Sequence, residues 1–130
     1  MAINCIVVTP EETALEEECD FVALPLYDGE VGIGRGHSPL IGRLGFGELR
    51  IKVGGSDQRY YIDGGFVQVA DDVVSVLTNR AIPVDSVDGA AAQEQLQQAR
   101  RRRANTPELM EIRDRLIQQA RAQIRVARGI

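Results

Sequence analysis

The chain changes character once, near Pro83, and that change restricts it to two structural units of different kinds. Before Pro83 the sequence consists of short Ile- and Val-rich runs cut by turn signals, the signature of strands. After it Ala, Gln, Leu and Arg dominate and Pro107 is the only proline, the signature of helices. The expected boundaries are residues 1–86 for a β-sandwich and 87–130 for a helical hairpin. The fold class is then α+β, an N-terminal antiparallel β-sandwich followed by a two-helix antiparallel hairpin.

Charge divides at nearly the same place. Residues 1–90 carry 15 acidic and 6 basic side chains, whereas residues 91–130 carry 4 acidic and 9 basic ones. The net charge of −4 hides this opposition. An acidic body argues against nucleic acid as the main ligand. The basic tail calls for an acidic surface, a phosphate or only water.

Several function classes drop out on composition. One His and two Cys cannot supply the usual ligand set of a zinc site, so no metal is expected. No apolar run approaches the ~20 residues of a membrane span, so any membrane link must go through a partner. The first residues lack a basic stretch leading into an apolar one, which argues against secretion. Two thiols without such a leader suggest a reducing compartment, with Cys5 and Cys19 as buried free cysteines.

Within the first unit, strands are expected at Ile3 to Thr9, Cys19 to Leu24, Glu48 to Val53, Gln58 to Asp63, Phe66 to Ala70 and Val73 to Thr78. Leu49, Ile51 and Val53 alternate with Glu48, Arg50 and Lys52, the period of a half-buried strand. Gly64-Gly65 is expected to break a strand, and Asp71-Asp72 to form a hairpin turn. The acidic groups Glu11-Glu12 and Glu16-Glu17-Glu18 read as solvated loop. Eleven of the 13 glycines fall between Gly29 and Gly65, which suits sharp bends and loops that approach another surface.

In the second unit the first helix should run from about Gly89 to Ala104, capped by Asp85 or Asp88, with a thin stripe of Ala92, Leu96 and Ala99. Thr106-Pro107-Glu108 reads as a fresh helix start. Leu109, Ile112, Leu116, Ala120, Ile124 and Ala127 then recur at three- and four-residue steps on one face. Glu111 and Arg115 are spaced to pair. Arg100, Arg101, Arg102 and Arg103, if helical, fan out around the axis. A solvated helix end, an acidic protein partner and nucleic acid are the readings of that run. A hairpin of this size rarely stands alone, so it is expected to dock weakly and to move.

Gly32-Ile33-Gly34-Arg35-Gly36 is not a dinucleotide loop. Its spacing is wrong, and His37-Ser38-Pro39 prevents a helix from opening there. No nucleophile with a partner acid surrounds His37, so no catalytic residue is expected. His37 reads as a structural ring within a tight loop, or as an interface residue.

The stretch from Gly29 through Gly36-His37-Ser38-Pro39-Leu40, with Gly64-Gly65-Phe66-Val67-Gln68-Val69 further on, resembles the epsilon subunit of F-type ATP synthases, called delta in mitochondria. The resemblance extends over the whole chain. It implies a non-catalytic rotor subunit of the central stalk that couples ring rotation to ATP synthesis and needs no cofactor. By resemblance the sandwich meets the gamma subunit and the polar loops of the c ring, with Glu30, Arg35 and His37 at those contacts. The arm would reach the catalytic beta and alpha subunits through Arg100 to Arg103 and Arg121, Arg125 and Arg128, and so oppose ATP hydrolysis. The subunit would be peripheral, on the cytoplasmic face of the energy-coupling membrane. Some members bind ATP at the hairpin through an Asp-x-x-Arg-Ala motif. Here Asp88 is kept, Ala91 stands where the Arg would be, and Gln119 and Gln123 replace the arginines of the second helix, so ATP binding should be weak or absent. The alternative is a β-sandwich module of another class, whose basic arm serves an acidic partner or nucleic acid.

Overall fold

The computed structural model describes residues 2–129. They form eight strands, a short 3-10 turn and two α-helices, and they separate into two compact units between Val84 and Asp85.

In the first unit, β1 (Ile3–Val8), β2 (Thr13–Cys19), β3 (Phe21–Leu26), β4 (Gly29–Ile33), β5 (Leu40–Val53), β6 (Ser56–Ala70), β7 (Val73–Leu77) and β8 (Ala81–Pro83) form one continuous ladder in the order β2-β1-β7-β6-β5-β3-β4, with β8 also on β6. The antiparallel sandwich expected from the sequence is present, with one parallel pairing added, β1 on β7. Its core is made from the alternating side of each strand: Ile3, Cys5 and Val7, then Val22 and Leu24, Leu49 and Ile51, Val67 and Val69, Val74 and Val76. Every member of this buried apolar cluster belongs to the first unit.

The long strands β5 and β6 carry the fold around a corner. Gly64 and Gly65 do not end a strand as expected; β6 continues through them with φ of 73° and 112°. Side chains are disfavoured at such angles. At Gly65 a Cβ would also run into the carbonyl oxygen of Leu77. Opposite these glycines the edge opens: β7 ends at Leu77 and β8 resumes at Ala81 in the same register. Buried polar groups fill the gap. Tyr61 Oη donates to Asp63 Oδ1 at 3.0 Å, and Arg80 Nε pairs with Asp63 Oδ2 at 3.2 Å. The Asp63 amide donates to Thr78 Oγ1 at 3.1 Å. A buried carboxylate is tolerable when it is bonded in this way.

One further expectation is revised. Glu16, Glu17 and Glu18 lie on β2, paired with Ile6, Cys5 and Asn4, and not in a loop. Alternation is hidden there because three identical charges occupy both faces. On an edge strand they also discourage pairing with another sheet. Cys5 and Cys19 are both buried and free, as expected. Burial pushes the Cys5 thiol up to about 12, with Cys19 and Glu17 adding to the effect.

The second unit contains α1 (Gly89–Arg101) and α2 (Pro107–Arg128). Asp88 caps α1 by accepting from the Ala91 amide, and Thr106 caps α2 by accepting from the Leu109 amide at 3.2 Å. Gly129 closes α2 in the left-handed conformation. The first helix is three residues shorter than expected. Arg102 is its C-cap, with extended backbone, and Arg103 lies in the connection. Only Arg100 and Arg101 of the arginine run are helical, so the run does not fan around one axis. The connection tightens because Pro107 disfavours helix at the residue before it.

The α1 stripe holds: Ala92 and Ala99 are buried and Leu96 is half-buried. On α2 the buried face turns in the last turns toward Ala122, Gln123 and Val126, and Ala127 is exposed. Ala127 faces Gly89, which offers no side chain to cover it. Glu111 and Arg115 are not joined; the ion pair among the described residues of α2 is Arg113–Asp114 at 3.7 Å.

Candidate functional site: two faces of the sandwich and a cationic hairpin

Two surface features of the sandwich stand out. The first is the loop Gly34–Pro39, which leads from β4 to β5. Pro39 and the glycines on either side of Arg35 keep it out of regular structure. The His37 amide donates to the Gly34 carbonyl at 3.3 Å, and Gly36 takes φ of 76°. His37 is half-buried, and its Nδ1 lies 2.7 Å from the Ser38 carbonyl oxygen. Arg35 is exposed at the turn. A residue that sequence reasoning assigned only to a turn joins them: Asp72 Oδ1 accepts from the Gly36 amide at 2.7 Å. No local pattern signals this contact, because 36 residues separate its ends.

The second feature is an outward apolar row. Ile41 and Phe66 are 80% and 60% exposed, far above what their chemistry favours, and Leu77 and Tyr27 are also exposed. Strand register gathers them: Phe66 pairs with Arg43 on β5 and Leu77 on β7, and Ile41 pairs with Gln68. The Arg43 guanidinium stacks 4.3 Å from the centre of the Tyr27 ring. An apolar group of this kind on an otherwise polar sheet face marks a contact surface. Sequence alternation could have found it, since Phe66 and Leu77 stand on the polar phase of their strands. Glu30 lies exposed on β4 opposite Pro25, at the end of the strand next to the Tyr27–Asp28 turn. It is therefore not gathered with Arg35 and His37, which lie beyond the other end of β4.

On the hairpin, Arg100, Arg101, Arg102 and Arg103 are all exposed around the connection between the helices. Arg121, Arg125 and Arg128 are exposed on α2 at four- and three-residue steps, so they form one cationic line. A groove of about 360 Å³ at the other end of the hairpin is lined by Val87, Gly89, Ala90, Gln93, Ile124, Ala127 and Arg128. A nucleotide triphosphate fits these residues poorly. Arg128 is the one cation in the lining, and the Asp88 carboxylate beside it is engaged in capping α1. Gln123 is buried.

Among the described residues no cluster of His, Cys, Asp and Glu is arranged to hold a metal ion, and no helix is long and apolar enough to cross a membrane.

Comparison with known proteins gives one answer. Residues 2–84 match the family model of the ATP synthase delta/epsilon chain β-sandwich domain. The ATP synthase epsilon chain of Rhodopirellula baltica is 52% identical over 128 residues, covering 98% of this chain and 100% of the relative. That of Desulfitobacterium hafniense is 43% identical over 82 residues, or 63% of this chain and 62% of the relative. Among solved structures, a chain of the Euglena gracilis mitochondrial ATP synthase (OSCP, F1 and c-ring) superposes with a TM-score of 0.84 at 24% identity, covering 93% of this chain and 78% of that one. The bent glycine-rich sandwich and its two closing helices thus make this chain a member of the ATP synthase delta/epsilon chain family.

Proposed function

We propose that the two sandwich features are the coupling surfaces of a rotor subunit and that the hairpin is its movable arm. The class of the subunit is settled by its family: it is a non-catalytic subunit of the central stalk, coupling rotation to the catalysis carried out elsewhere in the ATP synthase. The finer reading assigns partners. The apolar row of Tyr27, Ile41, Phe66 and Leu77 suits the gamma subunit, because a permanent rotor contact needs buried apolar area and excludes free charge. Loop Gly34–Pro39, with Arg35 and His37, suits the polar loops of the c ring, and the exposed Glu30, at the other end of β4, would be a separate contact with that ring. The chain would then be peripheral at the cytoplasmic face of the membrane.

The observation that carries this reading is the outward apolar row, which a free-standing sandwich has no reason to expose. Its test is Phe66→Glu in the full-length subunit. The expected result is loss of co-purification with gamma; retention at the parent level would overturn the assignment.

The hairpin is proposed to oppose ATP hydrolysis when its arginines meet acidic loops of the beta and alpha subunits. Two positions of the arm need differ by only a few kcal/mol for a partner or ligand to shift between them. Changing Arg100 to Arg103 together to Gln should raise ATPase activity of the assembled complex at low nucleotide. Unchanged activity under every condition would remove the basis for the inhibitory role. The same hairpin is expected to bind ATP weakly or not at all, and isothermal titration giving micromolar affinity would contradict that.

A further inference from the structure

Asp72 is placed unusually for a turn residue. It occupies the second position of the two-residue β6–β7 connection with φ of 60°, beside Asp71 at 52°. Both values belong to the left-handed region, where Gly and Asn are preferred in hairpins of this kind. Aspartate tolerates these angles, but Gly is the usual residue at the second position, so the aspartate side chain is spare for another contact. It crosses to the other loop, and the Asp72 backbone carbonyl accepts from the Asn4 amide at 2.9 Å. One residue thus joins the start of β1, the β6–β7 turn and the β4–β5 loop.

We propose that Asp72 is a positioning residue, whose carboxylate holds the Gly34–Pro39 loop in the pose that presents Arg35 and His37 to a partner. The inference rests on the reading of that loop as a coupling surface. The bond from Gly36 is short and charge-assisted, the stronger kind of hydrogen bond. It acts at Gly36, which holds a φ of 76° that side chains disfavour. Gly36 is flanked by Arg35 on one side and by His37 on the other, so the anchor lies between the two residues it orients. Loss of the bond would expose the Gly36 amide to water and not bury it unpaired, because the contact is at the surface. The fold therefore survives, and the cost falls on the loop's pose.

The test uses synthase complexes depleted of this subunit and rebuilt with full-length variants. Asp72→Gly removes the anchor while relieving the left-handed backbone, so the melting temperature of the free subunit should stay within about 3 °C of the parent. The concentration needed for half-maximal recovery of ATP-driven proton pumping should rise at least about fivefold. Asp72→Asn keeps an acceptor oxygen and tolerates the same backbone, and it should return that concentration to within about twofold. A merely structural role would not separate Gly from Asn in this way. If Asp72→Gly recovers pumping like the parent while Arg35→Ala/His37→Ala does not, the loop is a coupling surface and the anchoring role is wrong. If the double variant also matches the parent, the reading of the loop itself fails and the proposal falls with it.

Discussion

The sandwich and the hairpin bury different materials. In the sandwich the fully enclosed side chains are large: Tyr61, Leu24, Ile33, Leu44, Leu49, Ile51 and Ile62. In the hairpin the buried side chains are Ala92, Ala99, Ala120, Ala122, Val126 and the polar Gln123. Burying a large apolar side chain stabilises by about 1.5–3 kcal/mol, and an alanine contributes only a fraction of that. The first unit can therefore hold its shape alone. The second depends on helix propensity, two N-caps and a shallow seam, which suits a part that changes position at small cost. This difference is what the proposed roles of rigid grip and movable arm require of one chain of 130 residues.

The sharpest way to break this contrast is at the sandwich corner. Gly65→Ala places a methyl against the Leu77 carbonyl at a φ that an L residue rarely adopts. The expected loss is more than about 4 kcal/mol, or failure to fold. Chemical denaturation of the full chain measures it. A loss near 1 kcal/mol would mean that the corner is softer than its geometry implies.

Next is a matched pair of truncations. Leu49→Ala, in the sandwich, should cost about 3–4 kcal/mol, and Leu116→Ala, half-buried on α2, about 1 kcal/mol. Urea unfolding followed by strand and helix signals separates the two. Equal losses would erase the distinction between grip and arm. A chain ending at Val84 should still unfold cooperatively, because the apolar cluster lies wholly before that residue.

The corner also marks the limit of what sequence could disclose. The strands β1, β3 and β7, the later part of β5, most of β6, the Asp71-Asp72 turn and the cap at Thr106 follow from local chemistry, whereas β4, the start of β5 and β8 carry no alternation that shows them. The passage of β6 through Gly64-Gly65 does not follow either, because a pair of glycines signals a break as readily as a bend. What decides is the partner edge, which opens at Thr78 to Arg80 and accepts Asp63. The β2 strand was hidden for a related reason, since Glu16 to Glu18 mask the period of two that Leu15 and Glu17 keep in burial. Sequence singles out Glu30, Arg35 and His37 as residues but not how the strands place them. Pairing on β4 separates Glu30 from the loop, and Asp72 enters from a hairpin far away in sequence.

A smaller effect tests the tightness of the grip by alkali. Cys5 has an ordinary value near 9.0 in the unfolded chain and about 12 in the folded one, where burial, then Cys19, then Glu17 disfavour the thiolate. Below pH 9 both states hold the proton, and the contribution is fully present. Between about pH 9 and pH 12 the unfolded chain releases it and the folded chain does not, so stability falls as pH rises. The slope approaches about 1.4 kcal/mol per pH unit for this one group. Cys5→Ala should flatten the alkaline decline in melting temperature, and Cys19, raised in the same direction, should account for part of what remains. A variant with the parent's slope would mean that water reaches Cys5 and the β1–β2 layer is looser than its burial indicates.

The smallest expected change sharpens the hairpin side. Thr106→Ala removes the oxygen that accepts from the Leu109 amide and should cost about 1 kcal/mol. Because that cap opens α2, the loss should appear as faster amide exchange in the first turn of α2, with protection in β5 and β6 unchanged. Asp88→Ala should act likewise on α1, through the lost bond to the Ala91 amide. If either variant loosened the sandwich strands to the same degree, the two units would share one cooperative transition. The hairpin could not then move without unsettling the grip, and a regulatory arm would have to work by partial unfolding and not by displacement.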